Sequence, residues 1–213
     1  NSTVTAQGIY AGIGLGGPLG YDPNSANHGT AMISVRETGF INADIVLGTG
    51  GTLMGTGSVG GSVSNFGGTI RPGFSPGTLT LAGNYSDVGG RIEIEIGGPN
   101  NSDFIDVAGI LSLKGTSIEF KFIDGFAPAA GFTYDFIDAD GSVLIGTDGA
   151  DKVTYSYSGL QPGFLFDVTD VRGVLTFTAR TAGTALPEPG LPALLGVAGL
   201  AAWAARRRRL ASA

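Results

Sequence analysis

Residues 48–83 read GTGGTLMGTGSVGGSVSNFGGTIRPGFSPGTLTLAG, and their spacing decides the fold. Single apolar residues (Leu53, Val59, Val63, Phe66, Ile70, Leu79, Leu81) stand among Gly, Ser and Thr at intervals too short for hairpins. Small residues at tight corners, with one or two inward side chains per short strand, are what a coiled parallel sheet requires. The expected fold is an all-β body, a β-solenoid (parallel β-helix) with a β-sheet cap, or alternatively a β-sandwich.

Outward from this stretch the strands lengthen and alternate. RIEIEIG sets Ile92, Ile94 and Ile96 on one face and Glu93 and Glu95 on the other; SIEFKFID sets Ile118, Phe120 and Phe122 against Glu119 and Lys121. Period-two alternation of this kind predicts half-buried strands. Further strands are expected at 31–36, 44–47, 78–81, 104–107, 110–113, 132–137, 153–158, 164–171 and 174–179, punctuated by Gly, Pro, Asn and Asp. No body segment carries a helical period of three turns. The later, longer strands suit a cap, because an open coil end exposes unpaired edges and apolar rungs.

The chain has 213 residues, of which 38 are Gly and none is Cys, so it has the length for one domain with an appendage and can hold no disulfide or thiolate site. Four of its twelve basic residues are Arg206, Arg207, Arg208 and Arg209. The 1–186 part then has eight basic against seventeen acidic residues, a net charge of −9. Such a surface repels phosphate backbones, and nucleic acid is not an expected partner.

Motifs that would carry chemistry fail on context. Gly12, Gly14 and Gly17 satisfy G-x-G-x-x-G, but Pro18, Gly20 and Pro23 block the helix a phosphate site needs. Asp135, Asp138, Asp140, Asp148 and Asp151 crowd together, yet an EF-hand alignment puts Phe136 and Thr147 where acids are required, so a solvated turn is expected between Asp138 and Asp151 in place of a calcium loop. His28 is the single histidine, lies in a polar loop, and no G-x-S-x-G elbow accompanies it. Thr78, Thr80, Thr176 and Thr178 occupy outward strand positions, ordinary for threonine. No cofactor or metal is expected, and no catalytic residue is assigned. The enzyme alternative, a polysaccharide lyase or hydrolase, would need Lys121, Asp124, Asp135 and Lys152 to converge. The adhesin alternative would need Tyr85, Tyr155 or Tyr157 exposed on one face.

The C-terminal segment is the most specific part. Gly190 to Ala205, GLPALLGVAGLAAWAA, is sixteen residues without a charge and is followed at once by the four arginines. As a helix it spans about 24 Å, a little under the roughly 30 Å hydrocarbon core, so it must thin the bilayer or let its ends snorkel. Trp203 favours the interface, and Arg206 to Arg209 are retained on the cytoplasmic side, which orients the body outward. Just before it, Pro187, Glu188 and Pro189 enforce extended backbone. This order of Pro-Glu-Pro, short apolar span and terminal arginine cluster resembles the PEP-CTERM sorting signal. The resemblance implies that Pro187, Glu188 and Pro189 are recognised by an exosortase, a membrane-embedded processing enzyme, and that the chain is its substrate and not a catalyst. It further implies a membrane-anchored precursor with its body outside the inner membrane, a mature form at the cell surface or extracellular, and exopolysaccharide nearby. Export also requires a signal peptide; residues from Asn1 onward contain none, and it is expected to have been removed or to lie beyond this sequence.

The body has its own resemblance. GGT (Gly67, Gly68, Thr69) followed by Pro72, Gly73, Ser75, Pro76, Gly77, Thr78 and Leu79 is similar to the rungs of autotransporter-type β-helical passengers. Three units are expected: a Gly-rich N-terminal segment (1–30), a β-rich extracellular domain (31–183) and a sorting signal (184–213) comprising motif, transmembrane helix and arginines. The expected function is that of a non-catalytic, exported surface or matrix protein.

Overall fold

The computed structural model describes residues 3–11, 30–74 and 76–186. They form an all-β body of two sheets, one of seven strands and one of twelve, without an α-helix among them. The chain begins with β1 (Thr3–Ala11), β2 (Ala31–Val35) and β3 (Phe40–Gly48). It continues through β4 (Gly51–Gly55), β5 (Ser58–Val59), β6 (Val63–Phe66), then β7 (Thr69–Pro72), β8 (Thr78–Leu81), β9 (Tyr85–Val88). Next come β10 (Arg91–Gly98), the short β11 (Asn101–Ser102), β12 (Phe104–Val107) and β13 (Leu111–Lys114), followed by β14 (Ser117–Phe122), β15 (Thr133–Ala139), β16 (Val143–Ile145) and β17 (Thr154–Ser158). A closing pair, β18 (Phe166–Val171) and β19 (Val174–Ala179), ends the body.

Strands β2, β4, β7, β10, β14 and β17 lie side by side in parallel, and between consecutive members the chain visits the other sheet. There β5, β8, β12 and β15 form one flank and β6, β9, β13 and β16 the other; β3 is long enough to start both. Register gives the residues per circuit: Ala31 pairs with Gly51, Thr52 with Thr69, Thr69 with Arg91, Arg91 with Ser117 and Ser117 with Thr154. The offsets of 20, 17, 22, 26 and 37 share no fixed period, because the strands stay aligned while the corners lengthen.

Alternation fills the interior with columns. Leu53, Ile70, Ile92 and Ile118 stack on one sheet, and Val59, Leu81 and Val107 on another, all with no exposed surface. Between the two flanks of the larger sheet the corner is Gly83, Gly109 and Gly141 in successive circuits. A Cβ at Gly83 would lie 2.6 Å from the Gly61 carbonyl carbon, and one at Gly141 would lie 2.6 Å from the Gly109 carbonyl oxygen. Backbone touches backbone here, so only glycine fits.

At the far end β19 pairs antiparallel with β15, and β18 with β19. Phe120, Phe122, Phe136, Phe164, Phe166 and Phe177 close the interior there, with edge-to-face contacts such as Phe120 to Phe136 at 5.0 Å between centroids. Such pairs contribute about 0.5–1.5 kcal/mol each beyond their burial. Among the described residues no helix is long and apolar enough to cross a membrane; the expected span from Gly190 to Ala205 lies outside them.

Candidate functional site

The outer face of the seven-stranded sheet carries a linked set of charges, Arg71, Arg91, Glu93, Glu119 and Lys121. Its central residue is Glu93 on β10, expected from alternation to face solvent but only 7% exposed. Three cations cover it: Arg71 Nε at 2.6 Å, Lys121 Nζ at 2.5 Å and Arg91 Nε at 3.0 Å. Arg91 also bonds Glu119 on β14. Burial raises the Glu93 pKa, but hydrogen bonds and charge from Arg71 and Lys121 outweigh it and hold the carboxyl below its ordinary value.

Beside this ladder lies a cleft of about 200 Å³ lined by Met54, Arg71, Phe74, Glu95, Asp103 and Lys121. Arg36 sits over the Phe74 ring, 3.8 Å from its centroid. Asp103, one of the lining residues, is almost fully buried. One of its oxygens accepts from Gly77 N–H and the other from Glu95 N–H, both at 2.9 Å, so it ties two circuits together at a corner. Burial pushes its pKa up to about 7, against those two backbone bonds, and the Glu95 carboxylate adds to the rise.

A second polar cluster lies inside the body. Asn65 and Asp87, neighbours in register on β6 and β9, are fully buried. Asp87 accepts from Asn65 Nδ2 (2.6 Å), Tyr85 Oη (2.8 Å), Thr116 Oγ1 (2.8 Å) and Gly90 N–H (2.9 Å). Asn65 binds both Gly68 N–H and the Gly68 carbonyl. Burial raises the pKa of Asp87 and lifts that of Tyr85 well above its ordinary value. The four donors make Asp87 a corner staple with no lone pair facing solvent.

The residues named from sequence are scattered. Lys121 joins the charge ladder, Asp124 lies in the turn after β14, Asp135 accepts a hydrogen bond from Thr176 Oγ1 at 2.6 Å, and Lys152 follows a short 3-10 turn, so the four do not converge. Tyr85, which the adhesin alternative would need exposed, is fully buried, and its hydroxyl donates to Asp87. Tyr155 and Tyr157 pack against the core, and Tyr157 Oη accepts from the N–H groups of Gly163 and Phe164. Among the described residues no group of three or more His, Cys, Asp or Glu is arranged to hold a metal ion. Gly12, Gly14, Gly17, His28, Ser75, the sorting residues Pro187, Glu188 and Pro189, and Trp203 with Arg206 to Arg209 lie outside the described residues.

Sequence reasoning missed the ladder because Glu93 is 22 residues from Arg71 and 28 from Lys121. Only the circuit register brings them together. Neither the family models nor the curated proteins compared with the chain give a match.

Proposed function

We propose that this chain is an exported, non-catalytic surface or matrix protein, a capped β-solenoid delivered by a C-terminal PEP-CTERM signal. One observation carries the reading: in the sequence Pro187, Glu188 and Pro189 are followed by the apolar run to Ala205 and then by Arg206 to Arg209. The parallel pairing of strands one circuit apart supports the solenoid, and the β18–β19 pair supports the cap. In this reading residues 191–205 hold the precursor in lipid, the arginines keep its end in the cytoplasm, an exosortase processes it near Pro187 to Pro189, and the body goes to the surface near exopolysaccharide.

Against an enzyme reading stands the coordination of the acids. Asp103 is almost fully buried and accepts from two backbone N–H groups, and Glu93 is closed off by three cations, which suits structural ties between strands. The test expresses the precursor with and without the processing enzyme and measures the C-terminal mass and the location of the product. Processing near the motif is expected for the native chain and its loss on substituting Ala for Pro187, Glu188 and Pro189. Equal mass and location for both chains overturns the reading.

A further inference from the structure

The cleft beside the charge ladder holds hydrogen-bonding groups that the fold itself does not use. Among the described residues the Arg71 guanidinium bonds only through Nε, to Glu93, which leaves its two terminal nitrogens uncommitted, and the side chain is 48% exposed. The Lys121 ammonium bonds Glu93 alone and keeps donors to spare. The Glu95 side chain, in register with Lys121 on the neighbouring strand, accepts from no donor among the described residues. One part of the lining is apolar, with Met54 and Pro72 beside Phe74, whose ring is partly exposed and carries the Arg36 guanidinium stacked on it.

These groups select against ions. Arg36, Arg71, Arg91 and Lys121 stand against Glu93, Glu95, Glu119 and Asp103, so the patch has no excess of either sign to hold a metal ion or a phosphate. The net charge of −9 over residues 1–186 repels polyanions besides. An extended peptide is also disfavoured. Strands β4, β7, β10 and β14, which supply Met54, Arg71, Glu95 and Lys121, are each paired on both sides and offer no backbone edge to add to. What fits is a small neutral group with donors and acceptors close together and one apolar face. A sugar ring has this chemistry: its hydroxyls donate to Glu95 and accept from Arg71 and Lys121 in charge-assisted bonds, while its C–H face covers Phe74.

We propose that this cleft binds one neutral sugar ring of an oligosaccharide or polysaccharide, with Glu95 as acceptor, Arg71 and Lys121 as donors and Phe74 as the apolar platform. At about 200 Å³ the cleft is smaller than the roughly 300 Å³ at which pockets for drug-sized ligands begin, which suits a single ring. As the task of a surface or matrix protein this binding rests on the reading above; as chemistry of the cleft it does not.

The test is calorimetric titration of the full chain in detergent micelles, with cellohexaose, maltohexaose and mannohexaose as neutral probes and hexaguluronate as an anionic one. At least one neutral hexamer is expected to bind with a Kd of about 1 mM or tighter, and hexaguluronate more weakly than it. Phe74→Ala and Glu95→Ala each weaken that binding at least about tenfold, and Glu95→Gln, which keeps an acceptor, recovers part of the loss. Leu144→Ala, exposed on the other sheet, leaves it unchanged. As a measurement that needs no variant, the bound hexamer shifts the amide resonances of Phe74, Glu95 and Lys121 in the native chain more than those of β18 and β19. No binding of any neutral hexamer at about 10 mM, tighter binding of hexaguluronate, unchanged affinity in both alanine variants, or shifts centred elsewhere overturns the proposal. Because no processing is measured, failure here is distinct from failure of the sorting reading.

Discussion

Glu93 and Asp87 are both carboxylates removed from water, one on the outer face of the seven-stranded sheet and one inside the body, and they solve the same problem in opposite ways. Glu93 is met by Arg71, Arg91 and Lys121, and its pKa falls. Asp87 is met by two hydroxyls, an amide and a backbone N–H, all neutral, and its pKa rises. Cations stabilise the charge itself, whereas neutral donors satisfy the oxygens without balancing the charge. The outer site is thus an electrostatic tie between circuits and the inner one a geometric tie.

The sharpest way to break this contrast is to remove the inner acceptor. Asp87→Leu leaves Asn65, Tyr85, Thr116 and Gly90 without their shared partner inside the coil, and stranded buried donors cost about 1–3 kcal/mol each. Relaxation recovers part of this, so a loss of roughly 4 kcal/mol is expected from urea midpoints. Asp87→Asn, which keeps one accepting oxygen, loses less. A Leu variant within about 1 kcal/mol of native stability means that the corner does not depend on the staple.

What the sequence revealed of these sites follows from distance along the chain. Period-two alternation in β10 and β14 identified the inward Ile92, Ile94, Phe120 and Phe122 correctly, since that signal is local. The short strands of residues 48–83 were legible from single apolar residues between glycines, and Val59, Ile70, Leu79 and Leu81 are indeed core. Contacts between circuits were not legible. Offsets running from 17 to 37 residues give no period by which Arg71, Glu93 and Lys121 could be aligned, and nothing local to Asp87 marks Asn65 and Thr116 as its partners.

Acidity sharpens the comparison further. The folded pKa of Asp103, about 7, lies above its ordinary 3.8, so the folded state binds the proton more tightly. Its contribution is complete below pH 3.8 and is lost as pH rises to about 7. At 1.36 kcal/mol per pKa unit the full effect is about 4 kcal/mol, and Asp87 adds in the same direction. Glu93, with its folded pKa depressed, contributes above its ordinary 4.5 and loses that contribution as pH falls through the lower folded value. Denaturant stability measured across this range is expected to fall by a few kcal/mol between about pH 4 and about pH 8, and Asp103→Asn to flatten the fall. A profile that rises over that interval would mean the cation-paired site dominates the buried neutral ones.

The smallest effect belongs to the rim of the outer site. Arg91 bridges Glu93 and Glu119, but its side chain is 49% exposed, so water screens both bonds and replaces them when the guanidinium is removed. Glu93 retains Arg71 and Lys121 in Arg91→Ala, leaving no buried charge unpaired, and Glu119 lies near the surface with a side chain 14% exposed. Exposed pairs of this kind contribute about 0.2–1 kcal/mol, so a loss near 0.5 kcal/mol is expected, shrinking further in high salt. A loss of several kcal/mol, unchanged by salt, would show that Arg91 works by packing its stem across β10 and β14, and the outer tie would then be as geometric as the inner one.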